Sequence, residues 1–323
     1  MKARYLQSNQ IDKKEWDNLV LSSPQGSIFL ESGYIDIILR KGWGGVVVHD
    51  TEDKLLAIMP LNIKSKLGIQ YALQPVFTKF WGIAFAARDF KNTQSKYSWE
   101  KKIVTAIANC IPKNLQAFEY NFHPAFDYPM PFYWKNYEIE ARYTYLLNCA
   151  GLSADEIFNG YSPGLKGSIR TGNKNNLTII NDTSIDSLIQ ILSQSVESRK
   201  IIVDPKYFGT LRGIFDYGKK TGKSFSLTAV TDQGLPIASS IYIKDNKAIY
   251  ALAHNMLYEH SHLDALSLLV HHAILYCSGS GLSFDFLGSM IEPIEAFNRR
   301  YGAKPVPYLS ISKKNILISA LGK

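Results

Sequence analysis

Asp285 is the side chain whose setting most demands a chemical explanation. It lies in Leu282-Ser-Phe-Asp-Phe-Leu-Gly-Ser289, a strand-like run in which Phe284 and Phe286 flank the one carboxylate. An acid on an apolar strand is costly to bury unless it is hydrogen-bonded or used. Two readings follow: a group that takes part in a reaction, or an acceptor that caps a nearby helix or bonds Ser289 and backbone amides. A second constellation is cationic. No acid occurs from Ile157 to Asn181, while Lys166, Arg170 and Lys174 recur every four residues and share one helical face, suited to an anionic partner or simply to solvent. Arg299-Arg300 and Lys219-Lys220-Lys223 are further candidates for phosphate, with solubility the plainer reading. The histidines cluster at His254, His260 and His262 and again at His271-His272, but no carboxylate or cysteine completes a metal-ligand spacing, so no metal is expected.

The elements that must position these groups come in two similar series. Residues 11–21 and 27–39 carry helical patterns. Strand patterns at 46–49, 55–63 and 70–85 follow, separated by turn-like 50–53 and 64–68. A helix over 98–110 and strands at 117–121 and 143–148 complete the first series. The second runs through helices at 168–175, 185–199 and 205–221, strands at 224–231, 238–244 and 247–253, and a helix at 262–276 whose face Leu266, Leu269, Val270, Ala273 and Cys277 is core. An ungapped offset of 179 residues lays Tyr71-Ala72-Leu73 on Tyr250-Ala251-Leu252, and Asp53 on Asp232. With the matching element order this argues for two related domains, residues 1–150 and 151–323.

Bulk properties agree. The 323 residues exceed one usual core, and a chain that is 46% hydrophobic and 20% charged is folded, not disordered. The net charge of +8 is shared evenly between the halves and suits anionic partners. Three cysteines without paired spacing favour a reducing compartment. The N-terminus has no apolar signal region, and no run reaches the roughly 20 apolar residues that span a bilayer. A cytoplasmic protein without an integral membrane segment is expected.

The C-terminal segment resembles the signature of FemABX-like transferases with the tandem GNAT (acyl-CoA N-acyltransferase) fold. Asp285-Phe286-Leu287-Gly288-Ser289 matches its Asp-Phe-x-Gly-Ser strand end, and Tyr301-Gly302-Ala303 its aromatic-Gly-Ala turn. Gly26-Ser27-Ile28-Phe29, Tyr34 and Gly42-Trp43 parallel the family's opening. Glu31 stands where glutamine is usual, and Ile37 or Ile38 where peptidoglycan-modifying members place a lysine, which counts against a muropeptide acceptor. The resemblance implies an α/β (α+β) protein of two tandem GNAT-like domains, each a mixed central sheet flanked by helices.

In that fold two adjacent central strands splay apart and the acyl donor enters the gap. The strands would be 247–253 and 283–287, so Asp285 and Tyr250 become candidate catalytic residues, and Lys166, Arg170, His254, Ser289 and Arg299 candidate substrate contacts. The amine would attack an activated ester directly, with no covalent intermediate. Acetyl-CoA-using relatives carry a glycine-rich turn after the splayed strand that cradles pyrophosphate, whereas His254–Leu263 contains no glycine. That disfavours ordinary CoA binding and leaves the donor open between aminoacyl-tRNA and an acyl-CoA or acyl carrier protein, with no separate cofactor. The expected function is acyl or aminoacyl transfer to an amine of a cell-envelope precursor or related metabolite. Its partners would be a small-molecule or lipid-linked anionic acceptor, with tRNA a further candidate, but not DNA. The alternative is a non-catalytic module that binds RNA or a glycan.

Overall fold

The computed structural model describes residues 1–314 apart from Lys41, Arg199, Ile201–Val203, Pro205 and Ser289. The chain divides into two compact units, Met1–Arg142 with the described residues from Pro307 onward, and Tyr143–Val306.

The first unit begins with strand β1 (Lys2–Gln7), which sequence patterning missed, and helix α1 (Lys13–Ser22). Asp12 caps α1 by accepting the amides of Lys14 and Glu15 at 3.0 Å. A 3₁₀ turn at Ile28–Leu30 precedes α2 (Ser32–Leu39), so the expected helix over 27–39 is broken at Glu31. Strands β2 (Gly44–His49), β3 (Leu55–Leu61), β4 (Lys64–Lys66), β5 (Ile69–Leu73) and β6 (Ala84–Phe85) follow. The long strand expected over 70–85 is therefore interrupted. Pro75 brings no backbone donor, and the Gln74 side chain holds the intervening loop, donating to Thr78 O at 2.8 Å and Lys79 O at 3.0 Å while accepting Asn121 N at 2.6 Å. Next come α3 (Thr93–Cys110), started by an Asn92/Ser95 capping box, then β7 (Ala117–Asn121), α4 (Met130–Tyr133) and β8 (Glu138–Asn148).

The second unit takes over within β8 and adds α5 (Ala154–Asn159), α6 (Pro163–Lys174), β9 (Thr178–Asp182), α7 (Asp186–Ser198), α8 (Lys206–Thr221), β10 (Ser224–Val230), β11 (Pro236–Lys244) and β12 (Ala248–Met256). After a 3₁₀ segment at Tyr258–Leu263 come α9 (Ala265–Leu275), β13 (Ser283–Asp285), α10 (Glu292–Arg299) and β14 (Lys304–Lys314), which from Pro307 onward belongs to the first unit. Ser162 caps α6 with Pro163 in its first turn, a pairing that presets the helix start upstream of the expected 168.

In the first unit β1-β2-β3-β6 form one antiparallel sheet; β4 pairs antiparallel with β5, β5 parallel with β7, and β7 antiparallel with β14. The core beneath them is apolar and aromatic, including Trp16, Trp81, Phe118 and Phe122. In the second unit the strand order is β8-β13-β12-β11-β10-β9, antiparallel except for the parallel pair β12/β13. Each unit thus holds a parallel pair. Tyr71 stands in β5 opposite Ala117 of β7, as Tyr250 stands in β12 opposite Asp285 of β13.

Side chains alternate along a strand, and this sorts the second sheet into two faces. Tyr242, Ile249, Ala251 and Phe284 pack with Leu165 and Ile169 of α6 and Leu269 of α9 in one core cluster. Their strand neighbours Ile243, Tyr250 and Asp285 point to the other side.

Candidate functional site of the second unit

The parallel pairing of β12 and β13 is short. Ala248 faces Ser283, Ile249 faces Phe284 and Tyr250 faces Asp285, after which β13 ends while β12 runs on to Met256. The two strands part at the Tyr250/Asp285 pair. Beyond it, a cleft of about 680 Å³ opens along β12, lined by Gln194, Ser195 and Ser198 of α7, His254 and Asn255 of β12 and Leu266 of α9.

Asp285 is 3% exposed. Its Oδ1 accepts the Thr144 hydroxyl at 2.5 Å and the Leu287 amide at 2.8 Å, which supplies the compensation that a buried carboxylate needs. The chain then turns sharply, with Leu287 and Gly288 both in left-handed conformation at φ 55° and 40°. Glycine is required at 288 for a second reason: a Cβ there would lie 2.4 Å from Thr144 Cα and 2.5 Å from Tyr143 O. The backbone of β8 passes too close for any side chain.

Tyr250 is equally enclosed at 2% exposure, and its hydroxyl donates to Asp245 Oδ2 at 2.8 Å. The other Asp245 oxygen accepts the amides of Lys247 and Ala248 at 2.8 and 3.0 Å. One aspartate in the β11–β12 turn therefore both shapes the turn and anchors the tyrosine. Sequence reasoning passed over Asp245 and Thr144. The Asp-Asn-Lys turn was a legible signal for the first, while Thr144 has none, because it meets Asp285 only through strand pairing.

His254 is placed differently. Ile241 of β11 faces Ala253, but Tyr242 faces Ala251, so Leu252 is an extra residue in the ladder. This β-bulge reverses the alternation and turns His254, the partner of Ser240, toward the side occupied by α9 and α10. Its ring lies 6.4 Å from that of Phe297. Nδ1 is buried without a hydrogen-bond partner among the described residues, and desolvation holds the imidazole pKa below its ordinary value. A neutral histidine beside an open cleft can accept a proton.

The cationic candidates lie on the α6 side. Lys166 donates to Asn159 O at 2.9 Å and sits 5.9 Å above the Phe158 ring, while Arg170 is exposed one turn further on. Arg299 pairs with Glu295 of its own helix at 2.9 Å. Its neighbour Arg300 ties the motif helix to α6, donating to Ser168 Oγ at 2.9 Å and accepting Ser162 N at 2.8 Å through its carbonyl. Alternation thus separates Lys166 and Arg170 from Tyr250 and Asp285 across the sheet, and leaves His254 on their side. Ser289 lies outside the described residues. Among the described residues no group of three or more His, Cys, Asp or Glu could hold a metal ion, and no helix is long and apolar enough to cross a membrane.

This topology, a mixed sheet with one short parallel pair in each unit, recurs in solved structures. FemX superimposes with a TM-score of 0.69 over 96% of this chain and 97% of its own, at 11% identity. The fold is that of the FemX-like tandem GNAT proteins. A tandem GNAT protein from the clavulanic acid biosynthesis pathway covers 97% of this chain and 98% of its own at TM-score 0.53 and 9% identity. L-PGS from Bacillus licheniformis covers 96% and 95% at TM-score 0.52 and 10% identity. No protein-family model and no curated protein matches the sequence. The tandem GNAT fold is therefore carried by structure at identities that fix no residue role.

Proposed function

We propose that the protein transfers an acyl or aminoacyl group to an amine, with the cleft of the second unit as its transfer site and a cell-envelope precursor or related metabolite as acceptor. One observation carries this reading: β12 and β13 part at Tyr250/Asp285 and expose, in the cleft beyond, a histidine kept neutral by burial. The amine nitrogen attacks the donor's carbonyl carbon, forming the C–N bond while the carbonyl electron pair moves to oxygen. Collapse of that adduct breaks the C–O or C–S bond to the donor. His254 takes the proton that the nitrogen must lose and returns it to the leaving group. Asp285 and Tyr250 act at the parting point by fixing both strands, so that the cleft is held open in one geometry. Lys166, Arg170 and Arg299 supply positive charge for an anionic acceptor, and Ser289 follows directly on the Asp285 turn.

The donor is an aminoacyl-tRNA or an acyl thioester. The glycine-free stretch after His254 supports the former. Transfer from charged tRNA and from acyl-CoAs to candidate amines is the direct test. His254→Gln is expected to lower turnover about 10²-fold or more in a folded protein, and Asp285→Asn and Tyr250→Phe to lower it less. Wild-type turnover in all three variants refutes the site. Salt-steep tRNA binding with no product from any donor would favour the RNA-binding alternative.

A further inference from the structure

The β4–β5 hairpin of the first unit contains a residue for which folding gives no reason. Its two-residue turn is Leu67-Gly68, with φ of 52° and 78°, the left-handed pair of a type I′ turn in which Asn, Asp or Gly is the favoured first residue. A leucine held there costs about 1–2 kcal/mol in backbone strain. No burial among the described residues offsets this cost, since Leu67 is 93% exposed.

The register extends the pattern. Lys66 faces Ile69 and Lys64 faces Tyr71, so alternation gathers Lys64, Lys66, Ile69, Tyr71 and Leu73 on one face, while Ala72 on the other belongs to the core. On that outward face Ile69 and Leu73 are 44% and 42% exposed. The hairpin thus presents an apolar tip and an apolar stripe flanked by ammonium groups. A second copy of the chain adding a strand is disfavoured, because β4 is the sheet edge and its lysines repel such pairing. Apolar residues projecting between lysines complement an anionic lipid surface, where the apolar side chains reach the acyl boundary and the ammonium groups meet headgroup phosphates.

We propose that the β4–β5 hairpin docks the protein on an anionic bilayer surface, with Leu67 and Ile69 inserted and Lys64 and Lys66 at the phosphates. This surface belongs to the first unit and stands independently of the transfer cleft. The test is co-sedimentation of the full chain with vesicles of phosphatidylcholine alone and of phosphatidylcholine with phosphatidylglycerol. Binding is expected only to the anionic vesicles, weakening as salt rises. Leu67→Asn suits the type I′ turn and so retains or raises stability, yet it should weaken binding about tenfold or more by removing the inserted side chain. Lys64→Ser/Lys66→Ser should weaken it by a similar factor. Absence of binding to anionic vesicles, or unchanged binding by Leu67→Asn, overturns the proposal. A concentration-dependent dimer dissolved by Leu67→Asn would also overturn it and assign the surface to a second copy.

Discussion

Tyr250 and His254 lie four residues apart on one strand yet face opposite sides of its sheet, because Leu252 is an extra residue in the β11–β12 ladder. Strict alternation would have put both on one face. The bulge delivers His254 to a cleft that its neighbour does not enter, and burial there lowers its pKa.

That placement predicts the pH profile of transfer. His254 must be neutral to accept a proton, so kcat/KM should fall toward acid only below the ordinary histidine pKa of 6.5. An NMR titration of the His254 ring should give a midpoint below the same value. A midpoint at or above 6.5 would mean that the ring is solvated or ion-paired.

The Asp285–Thr144 hydrogen bond should be a structural coupling. Asp285→Ala and Thr144→Val are each expected to cost about 1–3 kcal/mol in urea unfolding, because each leaves a buried polar group short of a partner. The double variant should cost less than their sum, by about 0.5 kcal/mol or more. Strict additivity would indicate that the two side chains do not interact in solution.

Gly288→Ala is expected to be among the most damaging single substitutions in the second unit. The new methyl would meet β8 backbone at 2.4 Å, and backbone cannot swing aside as a side chain can. A loss of about 3 kcal/mol or more is expected, read from the unfolding midpoint or from failure to recover soluble protein. Gly164→Ala provides the control, since nothing lies within 4 Å of that position; helix propensity alone makes it neutral or slightly stabilising.

Stability should also decline with acid through His271. Burial, with neighbouring His272 adding to it, depresses its pKa from 6.5 to about 4. Its ring Nδ1 lies 3.2 Å from the Tyr161 hydroxyl. Between those two values the unfolded chain binds a proton that the folded one refuses, so stability is full above about pH 6.5 and falls until about pH 4. The loss attributable to this site is about 1–2 kcal/mol after solvent screening. His271→Gln should flatten this part of the pH–stability curve, and an unchanged slope would assign it to other groups.

Much of this architecture was legible in one dimension. Strand 117–121 was bounded as observed. The Asp285-to-Ala303 signature identified a strand end, turn and helix, and the repeated element order anticipated a duplication whose two parallel strand pairs place Tyr71 and Tyr250 alike. These features rest on local chemistry: periodicity, caps, turns, and a glycine where backbone approaches backbone. Other features depend on partners distant in the chain. The expected strand 70–85 was broken by hydrogen bonds of the Gln74 side chain, one of them accepted from the Asn121 amide, and β9 is a short edge strand that pairs with β10.

The sequence by itself determined that a carboxylate would stand at the end of a buried strand, since apolar flanks and the Gly288 turn are written within a few residues of it. Only the tertiary structure decided what that carboxylate and its neighbours face. Thr144 reaches Asp285 across 141 positions of chain, and the Leu252 bulge is defined by its pairing partner, not by its own residue type. Register and face are properties of two strands together, so no reading of either strand alone could assign His254 to the cleft.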